Sequence, residues 1–271
     1  MSDVAAMGLL PPGRVVAIAS GKGGVGKTWL SITLAQALSR QGLQVLLVDA
    51  DLGLANVDVQ LGLQPERDLH ALLTSGLTLR QAIMRHAEGG FDVLAGRSGS
   101  GALAALAPET VEQLNVLLRD SAAFWDVVLL DLGAGLAPPT RRLAAGADLL
   151  LVVATDEPTS LTDAYAVLKL HATDRPGGDA RIIVNQAADF AQGKRTAAAL
   201  QRACTTFLRR EIPLGGVVRR DERVRDAIRR QIPLLTRHPN SNAAADVEAL
   251  ALSLQLRTAF GTIEPPTRAA V

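Results

Sequence analysis

A chain of 271 residues, 48% of them apolar, can bury the core of one large domain and is short for two. Its 28 basic and 27 acidic side chains leave a net charge of +1, so no global field draws it to nucleic acid or to a membrane, and any such contact needs a local patch. A single cysteine, Cys204, excludes an internal disulfide and argues against a cysteine-built metal site; no apolar run reaches the roughly 18 residues of a membrane span, no signal peptide opens the chain, and the cytosol is the default location.

Residues 1–13 are small and apolar, end in Pro11-Pro12-Gly13, and read as a flexible leader. A rhythm then begins. Short runs rich in Val, Ile and Leu recur at Val15–Ala19, Val45–Val48, Phe91–Ala95, Val127–Leu130, Leu149–Val153 and Ile182–Val184, with stretches of helical spacing between most of them. Continuous apolar runs suit strands buried on both faces. Strands alternating with helices predict parallel β-α-β units, so the expected fold is α/β, a doubly wound and mainly parallel sheet filling one domain over 14–260. A last helical stretch runs from about Ala243 to Phe260, and a disordered tail is expected over 261–271, which carries Pro265-Pro266.

The first run leads straight into Gly21-Lys22-Gly23-Gly24-Val25-Gly26-Lys27-Thr28, and a helix then continues to about Arg40. Strand, glycine loop and helix in that order are the context of a phosphate-binding loop. The glycines let backbone N–H groups turn inward around phosphate oxygens, and the helix N-terminus adds its positive end. Lys27 reaches the β- and γ-phosphates, and the Thr28 hydroxyl binds Mg²⁺. A plain glycine turn would explain the loop but not the Lys27-Thr28 pair at the helix start. The second run ends in Asp49-Ala50-Asp51, at the edge where parallel sheets bind ligands. There Asp49 is placed to support the metal and its waters, and Asp51 lies further out, where a water could attack. The alternative is a pair of turn carboxylates. The fourth apolar run, Val127–Leu130, ends in Asp131, the Walker B pattern, which binds Mg²⁺ through water, and Gly133 and Gly135 free the next loop to reorganise. Asn185 closes the Ile182–Val184 run with an amide able to read an adenine edge, or simply to make a turn.

Lys22 is not needed to cradle phosphate, and with it Lys-Gly-Gly-Val-Gly-Lys-Thr resembles the deviant phosphate loop of the MinD/ParA/nitrogenase-iron-protein ATPases, over roughly residues 14–257. The resemblance implies slow, dimer-dependent ATP hydrolysis with ATP and Mg²⁺ as cofactors. It also implies that Lys22 acts across an ATP-dependent homodimer, that Asp51 positions the water in switch I, and that Asn185 contacts adenine. Where the family has a Pro-Arg-Asp-like loop after the last strand, this chain reads Val218-Arg219-Arg220-Asp221 without the proline, which leaves the other half of the base pocket open. Within the family, Asp49 to Asp58, Phe91 to Gly99 and Glu157 to Ala166 resemble the branch that regulates flagellar number and placement, FlhG (FleN), more than MinD or ParA. That branch implies a flagellar SRP-type GTPase and a flagellar transcription activator as partners, and a transient place at the inner membrane surface or cell pole. Residues 1–13 lack the Asp-Gln-Ala element that stimulates the GTPase. The last helical stretch has one basic residue, Arg257, so it reads as packed on the domain through Val247, Leu250 and Leu254 rather than docked on membrane. Glu157 to Ala166 can also be read as a Pro-led loop and a helix capped near Thr162 or Asp163.

Two other readings stand beside this one, a MinD-type cell-division positioning protein and a ParA-like partition ATPase that grips DNA. The second draws on Arg209, Arg210, Arg219, Arg220, Arg223, Arg225, Arg229 and Arg230. With Glu222, Asp226 and Arg230 at spacing four, a solvated helix face explains the same arginines, and nucleic acid is not the expected partner.

Overall fold

The structure is a computed structural model, and it describes residues 13–96 and 107–254. The leader over 1–12, the tail over 261–271, the end of the last helical stretch and Arg97 to Gly99 lie outside the described residues. Gly13 is already tied down, its N–H donating to the Ala122 carbonyl at 2.7 Å.

The strands are β1 (Arg14–Ala19), β2 (Val45–Ala50), β3 (Met84–His86), β4 (Phe91–Leu94), β5 (Val127–Leu132), β6 (Leu149–Ala154), β7 (Asp179–Ala187) and β8 (Leu214–Arg219). They form one sheet in the order β3-β4-β2-β5-β1-β6-β7-β8. Every pairing is parallel except the β3–β4 hairpin at one edge. The doubly wound, mainly parallel sheet is therefore present. All six expected strands are there, and two more were not expected. β3 has only three residues. β8 carries Gly215 and Gly216 inside it, which break the apolar run; Cβ atoms there would come within 2.8 Å of Ile183 and 3.2 Å of Leu250.

The helices are α1 (Lys27–Arg40), α2 (Val57–Leu61), α3 (Leu69–Thr74), α4 (Leu79–Ala82), α5 (Pro108–Ser121), α6 (Pro138–Gly146), α7 (Pro158–Asp174), α8 (Phe190–Ala203), α9 (Glu222–Arg230), α10 (Leu234–Arg237) and α11 (Asn242–Ser253), with a π-helical turn at Cys204–Leu208. Alternation along each strand splits the core in two. Val15, Ala17 and Ala19 of β1 face the side covered by α5, α6, α7 and α8, and Val16 and Ile18 face α1, α10 and α11. Because both faces are covered, the central strands are apolar throughout rather than alternating.

The last described helix behaves as a packed element. Val247, Leu250 and Leu254 are at most 2% exposed against α1 and the sheet. α7 begins earlier than its sequence suggests. It starts at Pro158, with Glu157 in the cap position and no side-chain cap, and Thr162 donates instead to the Pro158 carbonyl. Proline at the first helical position has its φ preset and spends no N–H.

His171, on the buried side of α7, has neither ring nitrogen hydrogen-bonded. Its pKa is pushed from 6.5 down to about 4, first by burial, then by Arg210 and Arg175, with Asp174 opposing. The folded chain keeps this imidazole neutral where the unfolded chain binds a proton. Its contribution is fully present above about pH 6.5 and is lost as the pH falls toward 4. His171→Leu should remove up to about 3 kcal/mol of that acid sensitivity. Urea midpoints of parent and variant at pH 7.5 and 4.5 check it, and a parallel loss of stability in both chains would refute the assignment.

Candidate functional site

The loop after β1 is shaped by two left-handed glycines, Gly24 at φ +81 and Gly26 at φ +86. Gly26 occupies the N-cap position of α1, and no side chain caps that helix. The first-turn N–H groups are therefore left to an anion. Lys27 and Thr28 open the helix, 7% and 9% exposed. Gly21 lets the α7 backbone approach, since a Cβ there would lie 2.4 Å from Asp163. Val25 packs into the core and pins the loop, while Gly23 and Gly24 have open space around them.

Two carboxylates meet this loop from the neighbouring strands. In the β2–β5 pairing Asp49 lies opposite Asp131. Lys27 Nζ sits 3.2 Å from Asp131 Oδ1, and Ser31 Oγ donates to the same oxygen at 2.8 Å. Asp131 Oδ2 is buried with no hydrogen-bond partner. Asp49 is fully buried, its pKa raised to about 7, first by burial and then by the Asp131 charge. Its Oδ1 accepts from the Asp51 N–H at 3.2 Å, and its Oδ2 from the Asn56 and Val57 N–H groups at 2.9 Å each. Asp49 thus closes the loop that follows it, as the turn-carboxylate alternative expected. Asp51 Oδ1 accepts from the N–H groups of Gly53 and Leu54. A Cβ on Gly133 would lie 3.1 Å from that oxygen, so the loops after β2 and β5, the candidate switch I and switch II, approach closely where residue 133 is glycine. The Gly135 N–H donates to the Ser20 carbonyl at 2.9 Å, tying switch II to the phosphate loop.

A buried, unpartnered carboxylate oxygen beside a hydroxyl and a lysine fits a hydrated cation. Asp131 and Thr28 would hold Mg²⁺, with Asp49 behind them. Among the described residues no group of three or more His, Cys, Asp or Glu could hold a metal alone. The remaining ligands must come from phosphate and water, as they do for magnesium.

The other expected residues are placed as follows. Lys22 reaches α7, its Nζ 2.5 Å from Glu157 Oε2 and 3.2 Å from Thr159 Oγ1. That hydrogen bond holds the Glu157 pKa below its ordinary value. Asn185 is 3% exposed and braces the loop from behind, its Nδ2 donating to the Val25 carbonyl at 2.8 Å. That bond uses one of the two amide N–H groups and leaves the second N–H and the carbonyl oxygen. Gln186, at φ 58, adds a bond to the Gly24 carbonyl. Arg219 is committed to Asp246 through two nitrogens, at 3.0 and 2.8 Å, and lies over the Phe190 ring, so it is not poised over a base. The arginines of α9 are partly paired. Arg225 meets Glu222, and Asp226 gathers Arg230, Arg237 and His238; the hydrogen bond from Arg237, then that from His238, lowers the Asp226 pKa to about 2.

Ser31, Glu157 and Gln186 were not expected. Ser31 stands one helical turn after Lys27, and that spacing was a usable signal. Glu157 is 135 residues from Lys22, and nothing local announces the pair.

A family model for the CobQ/CobB/MinD/ParA nucleotide binding domain matches residues 16–234. The antiactivator FleN of Pseudomonas aeruginosa is 37% identical over 245 residues, which is 90% of this chain and 87% of that protein. The flagellum site-determining protein YlxH of Helicobacter pylori is 29% identical over 257 residues, 93% of this chain and 85% of that protein. Among solved structures, the septum site-determining protein MinD of Pyrococcus horikoshii, complexed with Mg-ADP, has a TM-score of 0.75 and 26% identity, covering 89% of this chain and 95% of its own.

Proposed function

This chain belongs to the CobQ/CobB/MinD/ParA nucleotide-binding domain family, and on that premise we propose that it is an ATP-hydrolysing switch that regulates flagellar number or placement. One observation carries the chemical half of the proposal. Lys27 and Asp131 converge at the uncapped N-terminus of α1, with one Asp131 oxygen buried and free. The α1 N–H groups and Lys27 would bind the phosphates, Thr28 and Asp131 would hold magnesium, and Asp51 would orient the attacking water. When bound, magnesium would supply neutralisation of the phosphate charge. Switch I and switch II meet at Asp51 and Gly133, so loss of the γ-phosphate is felt by both. The flagellar half rests on the likeness to FleN and YlxH; the partners are a flagellar transcription activator and, less directly, an SRP-type GTPase. No helix among the described residues is long and apolar enough to cross a membrane.

The switch itself is an ATP-dependent homodimer. Two sets of phosphates brought face to face repel strongly where water is scarce, and a cation from each side offsets that. Lys22 supplies it by leaving Glu157, an exposed pair that holds it only weakly. Lys22→Ala should keep nucleotide affinity in the monomer and abolish dimerisation by ATP. Light scattering after size exclusion, in an Asp51→Ala background that prevents hydrolysis, reads this directly. A double variant that still dimerises removes Lys22 from the interface.

A further inference from the structure

We propose that Ser31 is a positioning residue for magnesium-nucleotide binding. It holds the Asp131 carboxylate so that its unpartnered oxygen faces the metal's waters. The inference rests on the reading of Asp131 as the magnesium-side acid.

The geometry has three parts. Ser31 is fully buried, shielded from bulk solvent. Its hydroxyl has one proton and two acceptors within reach, the Lys27 carbonyl at 3.0 Å and Asp131 Oδ1 at 2.8 Å. The carboxylate is the nearer and the stronger acceptor, because a charge-assisted bond outweighs the back-bond a helical serine otherwise makes to its own preceding turn. Third, Asp131 Oδ1 has two donors, Lys27 and Ser31, while Oδ2 has none.

The two donors have different fates. Lys27 is also the residue that must meet the β- and γ-phosphates. As its ammonium turns to the nucleotide, its hold on Asp131 weakens. Ser31 is then the donor that keeps Oδ1 engaged. Without it, the terminal torsion of Asp131 is soft, since rotation about that sp³–sp² bond has no sharp minimum. The carboxylate also lies opposite Asp49 in the β2–β5 pairing. A carboxylate free to rotate would lose alignment just when the metal and phosphate arrive. Partners of this kind behind a metal ligand typically change metal affinity by about 10- to 100-fold.

The test is the affinity of fluorescent mant-ADP, titrated with magnesium and again in EDTA, on the full chain. Parent protein should bind mant-ADP more tightly with magnesium. Ser31→Ala should bind as the parent does in EDTA and need about tenfold more magnesium to reach half of the tightening. A helix, a buried site and a stability role alone would not move the magnesium midpoint while sparing the EDTA value. In an Asp131→Asn background Ser31→Ala should leave the magnesium midpoint unchanged, because the second carboxylate oxygen that Ser31 aims at the metal's waters is gone. If Ser31→Ala does not fold, Ser31→Cys keeps the volume, weakens the donor and goes through the same titration. A parental magnesium midpoint in the Ser31 variant overturns this inference alone. A parent whose mant-ADP affinity ignores magnesium overturns the reading of Asp131 as well.

Discussion

Asp51→Ala is expected to bind ATP as the parent does and to lose about 10²- to 10³-fold in hydrolysis rate. Asp51 lies at the outer end of β2, beyond Asp49, and touches none of the α1 residues that hold phosphate. What it does touch is both switches. Its Oδ1 accepts from Gly53 and Leu54, and Gly133 lies against the same oxygen. In the proposed mechanism the carboxylate holds the attacking water between these two loops. Loss of the loop bonds is a second effect of the alanine, and Asp51→Asn separates it. Asparagine keeps an oxygen acceptor for the two N–H groups and gives up the charge. Both variants should turn over slowly and accumulate the ATP-bound form. Steady-state phosphate release beside equilibrium ATP binding makes the comparison, and unchanged phosphate release in Asp51→Ala would remove the residue from the chemistry.

Lys27→Ala is expected to lower ATP affinity by about a hundredfold and to destabilise the protein without nucleotide as well. The first effect is the loss of a charge-assisted bond to phosphate in a site shielded from water. The second follows from the 3.2 Å pair with Asp131, in which lysine and aspartate are 7% and 1% exposed. Removing one member of a buried pair strands the other, at a cost of about 3 kcal/mol. Here the stranded carboxylate also lies opposite Asp49 in the β2–β5 pairing. Titration calorimetry gives the affinity, and a urea midpoint gives the stability. A variant that binds ATP as tightly as the parent would mean that the loop after β1 does not hold phosphate.

The sequence by itself determined the sheet and the phosphate loop, because both are written in neighbouring residues. Apolar runs such as Leu149–Val153 are continuous because parallel strands are covered on both faces. The glycines and Lys27-Thr28 stand side by side because one turn of backbone makes the anion site. Even Ser31 was within reach, one helical turn from Lys27. β8 was hidden for an equally local reason, since Gly215 and Gly216 interrupt its apolar pattern to admit Ile183 and Leu250. What the tertiary structure alone decided is where the side chains spend their hydrogen bonds. Asn185 has its amide on the Val25 carbonyl, 160 residues away. Asp49, expected beside the metal, spends both oxygens on the backbone of Asp51, Asn56 and Val57. Lys22 rests on Glu157 and Thr159 at the start of α7. A residue type offers donors and acceptors, but which of them meet depends on the order in which strands lie in the sheet. Here β1 lies between β5 and β6, and that order brings Asp131 from one side and the start of α7 from the other to a single loop.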